Sequence, residues 1–388
     1  MTKVDSQRNQ RENRLADALA CLNGGDLAQA RSLALSAIDF GLDNVSSWTV
    51  LSLACRDLGL LDEADEAADK AIQHEPLHFR AHVVKGDVFY SRGNRRTAAA
   101  FYRTALSIIQ RSPNISLSSV AQKEHDRASD RVRRLHEQFE QHLLARTESL
   151  LSNVSSTQRM QTAVDLLVGR RKLYLPEPRH MLFPGLPIHE FYPNAMFDWI
   201  PTLEKETPVI QSELAMLTET GVSFSPYLTT DGTSPVFDNH GMANNDDWGA
   251  IYLWKNGQPI SHNQELCPQT TSAMEKLPLV HAGQRCPNIL FSRLKPGAKI
   301  PPHHGMTNSR LIGHLPLVVP SECGFRVGNE VRRWEIGKVF LFDDTIEHEA
   351  WNSSTSDRVI LIFEVWKPEL EPQERQLVTE MLCAVDDF

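Results

Sequence analysis

The reading of this chain turns on three stretches: PPHHGMTNSRL at residues 301–311, FDDTIEHEAW at 342–351 and RVILIFEVW at 358–366. His303 and His304 stand in the first, His348 in the second, and Arg358 opens the third. Two imidazoles on separate strands can hold a metal, and a guanidinium one strand further on can clamp a carboxylate through paired hydrogen bonds. Outward from these stretches the β-type pattern continues through WGAIYLW (248–254), PNILFSRL (287–294), LIGHLPLVV (311–319), CGFRVG (323–328) and KVFLF (338–342). The runs are short, rich in Val, Ile, Leu and Phe, and bounded by turn signals such as Lys295-Pro296-Gly297 and Val327-Gly328-Asn329. Many short strands at close spacing specify a two-sheet barrel, here a jelly roll of cupin-like form. One amphipathic helix, Pro201–Thr218, is expected to pack outside it, and Arg332-Arg333-Trp334 reads as a solvated hairpin.

The metal-binding pattern lacks one member. Two histidines and a carboxylate are the usual facial set for Fe(II), yet the position two after His303 is Gly305. Strand alternation puts residues 303 and 305 on one face and His304 on the other. The acids around His348, namely Asp343, Asp344, Glu347 and Glu349, are alternative sources of a carboxylate.

Toward the N-terminus the chain changes character. Gly25, Gly59 and Gly93 are spaced by 34 residues, as are Ala30, Ala64 and Ala98, the set Ala34, Ala68 and Tyr102, and the set Ala37, Ala71 and Ala105. Trp48 opens the second unit, Pro76 closes it, and Pro113 follows the third. A period of 34 with small residues at fixed offsets resembles the tetratricopeptide repeat, two helices around a glycine turn. The expected organisation is therefore multidomain α + β. Repeats occupy 11–113, a helical linker or cap occupies 114–171, with a long helix over 119–150 and a shorter one over Thr157–Arg171, and a jelly-roll domain occupies 172–388.

Composition bounds the rest. A net charge of −9 and a pI near 5.9 argue against a general nucleic-acid or anionic-membrane binder. No stretch approaches the roughly 20 apolar residues that span a bilayer. The polar start MTKVDSQRNQRENR carries no signal-type apolar segment, and the six cysteines show no CxxC pairing, so a reducing cytoplasm is the expected setting.

The runs PPHHGMTNSRL, HLPLVVP, CGFRVGNEVRRWEIGKVFLFDDTIEHEAWNSS and RVILIFEVWKPEL resemble the aspartyl/asparaginyl β-hydroxylases over about residues 180–371. The resemblance implies an Fe(II)- and 2-oxoglutarate-dependent dioxygenase that hydroxylates the β-carbon of an Asp or Asn residue in a peptide or protein. In that family glycine replaces the carboxylate ligand, so Gly305 fits. The iron ligands fall on His303 and His348, and the cosubstrate contacts on Ser292, His314 and Arg358. Arg310 is the candidate for a substrate carboxylate, and Trp248 matches a tryptophan on the substrate side. The chain departs from the animal enzymes at Ile312, where they carry Arg, which bears on cosubstrate binding or pocket shape. The rival readings are the same chemistry on a free amino acid, a peptide natural product or a lipid acyl chain, and a non-catalytic repeat scaffold whose cupin-like domain only binds a ligand. The repeats are expected to serve as a docking surface for a peptide or protein substrate.

Overall fold

The structure, a computed structural model, describes residues 3–111, 117–151, 157–230 and 241–387. Pro113 lies outside them. The chain forms two compact units, Met1–Val168 and Gly169–Phe388.

The first unit is helical throughout its described residues. Helices α1 (Lys3–Gly24) and α2 (Leu27–Asp39), α3 (Val45–Asp57) and α4 (Leu61–His74), and α5 (Phe79–Ser91) and α6 (Arg95–Gln110) make three hairpins. Each hairpin turns at a glycine of positive φ: Gly25 at 83°, Gly59 at 76° and Gly93 at 77°. That backbone conformation penalises residues with a Cβ, which accounts for the glycines of the 34-residue period. Asp26 and Asn94, each one residue after its glycine, cap the second helices of their hairpins by accepting from the Gln29 and Thr97 amides. The periodic alanines Ala30, Ala34, Ala37, Ala64, Ala68, Ala71, Ala98 and Ala105 are fully buried, since small side chains let helix axes approach closely. Tyr102 breaks the alanine series and is accommodated from across the hairpin. A Cβ on Gly86 would come within 2.6 Å of its ring. Helices α7 (Ser119–Leu151) and α8 (Thr157–Leu167) complete this unit.

The second unit layers helices on one of two antiparallel sheets. It contains β1 (Phe191–Tyr192), α9 (Ile200–Lys205), α10 (Thr207–Glu219), β2 (Ser225–Pro226), β3 (Trp248–Lys255), β4 (Gln258–Pro259), α11 (Ser261–Leu266), α12 (Pro268–Glu275), β5 (Ile289–Leu294), β6 (Lys299–His303), β7 (Arg310–Val318), β8 (Cys323–Val327), β9 (Glu330–Arg332), β10 (Phe340–Phe342), β11 (His348–Asn352), β12 (Arg358–Trp366) and α13 (Pro372–Asp387). The larger sheet runs β1–β10–β7–β12–β5–β3–β2 with β4 paired to β3, and the smaller runs β6–β11–β8–β9. This is the expected jelly roll. Its inner core joins both sheets through Leu294, Ile300, Phe325, Val327, Phe342, Ala350 and Ile360. A second core on the outer face of the larger sheet packs Leu315, Leu361 and Phe363 against Ile210, Leu214 and Leu217 of α10.

The single helix expected over Pro201–Thr218 is two helices, broken at Glu206. Pro208 explains the break, because a proline lacks the amide hydrogen that a continuing helix needs but fits the first turn of a new one. Helix α8 also stops short of Arg171, and the chain turns at Gly169 with φ 74°.

Candidate active site

Between the two sheets lies a cavity of about 550 Å³. Strand alternation decides what faces it. On β12 the inward positions are Arg358, Ile360, Ile362 and Glu364; on β7 they are Arg310, Ile312 and His314; on β5, Leu290 and Ser292; and on β3, Trp248. The smaller sheet contributes His303 and His348, which stand directly opposite each other in the β6–β11 register. All seven sequence-derived candidates thus line one cavity, together with Ile312 and His304.

The imidazoles of His303 and His348 lie with ring centroids 4.0 Å apart. Nδ1 of His303 is 2.8 Å from the Pro301 carbonyl oxygen, and Nδ1 of His348 is 3.0 Å from that of Ile346. A carbonyl only accepts, so each Nδ1 carries the ring hydrogen and donates it, leaving the Nε2 lone pair of both rings available to a metal. Burial lowers both pKa values, that of His303 to about 4 and that of His348 well below its usual value, with the neighbouring His303 adding to the latter. Both rings are therefore neutral at neutral pH, the form in which imidazole binds metals. The donor set fits a divalent metal through two nitrogens. Among the described residues no group of three or more His, Cys, Asp or Glu is arranged to hold one.

Residue 305 is closed to a third ligand by sterics. A Cβ built on Gly305 overlaps the carboxylate of Asp344, which fills that space from the loop before β11. Asp344 Oδ2 accepts from Arg310 Nη2 at 2.9 Å, and Arg310 Nη1 pairs with Glu364. Burial pushes the Asp344 carboxyl up to about 6, against the pull of Arg310. Burial also opposes the charge of Arg310, but Glu364 and Asp344 outweigh it and hold that pKa well above the usual value. Arg310 thus faces the cavity already matched to two carboxylates.

Arg358 is the contrasting case. It is fully buried, its Nε and Nη2 meet no hydrogen-bond acceptor, and no carboxylate among the described residues pairs with it. Burial draws its pKa down to about 10. The turn that delivers it is built on Asn352. Its side-chain amide donates to the carbonyls of Leu294 and Ser356, and its oxygen accepts from the amide and hydroxyl of Ser354. This ties the end of β11 to the larger sheet just before Arg358. A second buried anchor, Lys367 Nζ to Asp343 Oδ2 at 2.6 Å, fixes the loop that carries Asp344 toward His348.

Trp334 corrects the expectation of a solvated hairpin at Arg332-Arg333-Trp334. It is buried, with its ring 4.7 Å from the Arg358 guanidinium carbon, and its indole nitrogen donates to His314 Nδ1 at 3.3 Å. Neither this contact nor the pairing of Arg310 with Asp344 and Glu364 leaves a local signal in the sequence. Trp248 is also buried. Its ring stacks on Tyr227 at 3.9 Å, and its indole nitrogen donates to Ser292 Oγ at 3.1 Å.

The fold and cleft define a jelly-roll domain with a paired-histidine site on one sheet and a buried, unpaired arginine on the other. Residues 204–368, within the second unit, match the family model described as Aspartyl/Asparaginyl beta-hydroxylase. A human "Aspartyl/asparaginyl beta-hydroxylase" is 37% identical over 179 residues, covering 46% of this chain and 22% of the relative. The "Ornithine lipid ester-linked acyl 2-hydroxylase" of Rhizobium tropici is 32% identical over 186 residues, covering 47% of this chain and 62% of the relative. The "Aspartate beta-hydroxylase domain-containing protein 2" of Xenopus tropicalis is 29% identical over 213 residues, covering 54% and 55%. The chain therefore spans less than two thirds of each of these relatives.

Proposed function

We propose that this chain is an Fe(II)- and 2-oxoglutarate-dependent dioxygenase that hydroxylates the β-carbon of an aspartyl or asparaginyl residue in a peptide or protein. The observation that carries the reading is Arg358, a buried guanidinium with no carboxylate partner among the described residues, lining the same cavity as two neutral imidazoles. A buried charge without a counter-charge is costly, and a dicarboxylate cosubstrate supplies one. The family match of the second unit supports the same chemistry.

In this reading His303 and His348 hold the iron through Nε2, with the other ring nitrogen fixed by its backbone carbonyl. Arg358 takes the distal carboxylate of 2-oxoglutarate, assisted by His314 and Ser292. Iron, when held there, supplies the oxygen chemistry: one atom of dioxygen goes to 2-oxoglutarate, which leaves as succinate and CO2, and the other to the C–H bond. The protein's contribution is alignment in a cleft walled by both sheets. Trp248 and Arg310 border the substrate's share of the cavity, Arg310 through a guanidinium held by Asp344 and Glu364. The repeats are the docking surface for a macromolecular substrate, and the six free cysteines suit a reducing cytoplasm.

A second reading, hydroxylation of a lipid acyl chain, is favoured by the likeness to the rhizobial acyl hydroxylase. The test is anaerobic addition of Fe(II) and 2-oxoglutarate to the full chain. A visible charge-transfer band and, on admitting air, slow formation of succinate are expected. Absence of both would reject the dioxygenase. Mass spectrometry after incubation with Asn- or Asp-containing peptides, and separately with acyl-ester lipids, then distinguishes the two substrate readings by which gains one oxygen.

A further inference from the structure

Two indole N–H groups end on the wall that surrounds Arg358. Trp248 Nε1 donates to Ser292 Oγ at 3.1 Å, and Trp334 Nε1 donates to His314 Nδ1 at 3.3 Å. All four residues line the cavity and all are buried. An indole nitrogen can only donate, so each contact has one possible direction. Ser292 must accept with its oxygen, which leaves its hydroxyl hydrogen for another acceptor. His314 must accept at Nδ1, which puts the ring hydrogen on Nε2. Burial, and then the charge of Arg358, keeps this imidazole neutral, so Nδ1 retains the lone pair that the indole needs.

We propose that Trp248 and Trp334 are positioning residues that fix the polarity of the cosubstrate wall, making Ser292 and His314 donors beside the donor-only guanidinium of Arg358. The wall then offers hydrogens to a group that only accepts, which is the requirement of a carboxylate. Without the indoles, the serine oxygen and the imidazole nitrogen are free to turn an acceptor lone pair toward the same carboxylate and repel it. Trp334 contributes twice, since its ring also lies over the Arg358 guanidinium at 4.7 Å. Trp248, which borders the substrate's share of the cavity, therefore also acts on the cosubstrate through Ser292. The inference rests on the reading that Arg358 takes the distal carboxylate of 2-oxoglutarate.

The experiment uses the full chain loaded with Mn(II) in place of iron. Calorimetry measures the binding of 2-oxoglutarate and of 2-oxobutyrate, which keeps the keto-acid end and lacks the distal carboxylate. Trp334→Phe and Trp248→Phe keep an aromatic ring, although a smaller one, and remove the donor. Each should weaken 2-oxoglutarate by about 5- to 10-fold, the loss of one hydrogen bond, and leave 2-oxobutyrate unchanged. Nitrogen NMR of the unsubstituted protein should find the His314 hydrogen on Nε2, a readout that stands even if a variant fails to fold. Variants that bind 2-oxoglutarate like the parent, an equal loss for both ligands, or a hydrogen on Nδ1 would each overturn the proposal. Failure of the unsubstituted protein to bind 2-oxoglutarate would instead reject the dioxygenase reading on which the proposal stands.

Discussion

The two units treat buried positive charge differently. In the helical unit Arg56 reaches Asp57, Asp87 and Glu124, Glu124 also takes Arg80, Asp87 also takes Arg127, and Lys85 sits between Asp65 and Asp69. Every one of these cations has its anion within the fold. The jelly-roll unit follows the same practice at Lys367 with Asp343 and at Arg310 with Asp344 and Glu364, and departs from it at Arg358. Matched charges are accounted for by folding alone. The unmatched one costs free energy until something outside the chain neutralises it, and so it marks a ligand site more sharply than the mere presence of an arginine does.

The sharpest break in this comparison is to neutralise one arginine of each kind. Arg310→Met strands Glu364 and Asp344 without their cation and should destabilise the protein by about 3–5 kcal/mol, whereas Arg358→Met should leave the ligand-free unfolding midpoint unchanged or higher. Denaturant unfolding of both variants without 2-oxoglutarate decides it; an equal loss from both would erase the distinction.

The next effect concerns buried groups that avoid charge altogether. His303 has its pKa lowered to about 4 in the folded protein, against an ordinary value near 6.5, so between these values the unfolded chain binds a proton that the folded one does not. Through His303 the metal-free protein should lose about 1 kcal/mol per pH unit as pH drops from about 6.5 toward 4, with His348 adding to the loss and Asp344, whose carboxyl is raised to about 6, offsetting part of it at the acid end. A flat stability profile over that window, measured by urea unfolding, would contradict it. Arg358→Lys keeps the charge and loses the planar fork, so 2-oxoglutarate should bind about 10- to 100-fold more weakly, while the ligand-free stability stays near that of the parent. The smallest expected effect lies in the helices. Arg56→Met should cost about 0.5–1.5 kcal/mol, because Glu124 keeps Arg80 and Asp87 keeps Arg127, and should leave 2-oxoglutarate affinity unchanged. A change in that affinity, read by titration, would tie the helical charge network to the cleft.

The same contrast explains which features were legible in the sequence. Gly25, Gly59 and Gly93 advertise themselves because a positive φ is a local demand, and the strands do because their alternation is local too. His303, His348 and Arg358 were readable because strand order places them along the chain in the order in which they reach the cavity. Trp334 was not. Its neighbours Arg332 and Arg333 gave it the look of a solvated turn, and its burial comes from His314 and Arg358, which are distant in sequence. The partners of Arg310 were equally invisible, since Asp344 and Glu364 arrive from other strands and loops. Pro208 is a helix breaker visible in the sequence, and it divides an otherwise regular apolar pattern into two helices.

The overlap between residue 305 and Asp344 has a consequence for the history of the site and for attempts to redesign it. Gly305→Asp alone does not restore a two-histidine, one-carboxylate set, because its new side chain enters volume that Asp344 already fills. Removing Asp344 first takes away a partner of Arg310 and shifts the charge burden onto Glu364. Each single step is therefore unfavourable, and only the paired exchange, glycine for aspartate at one position and aspartate for glycine at the other, crosses between the two arrangements. Positions 305 and 344 should consequently change together or not at all, so that the two-histidine site is held in place by packing as well as by chemistry.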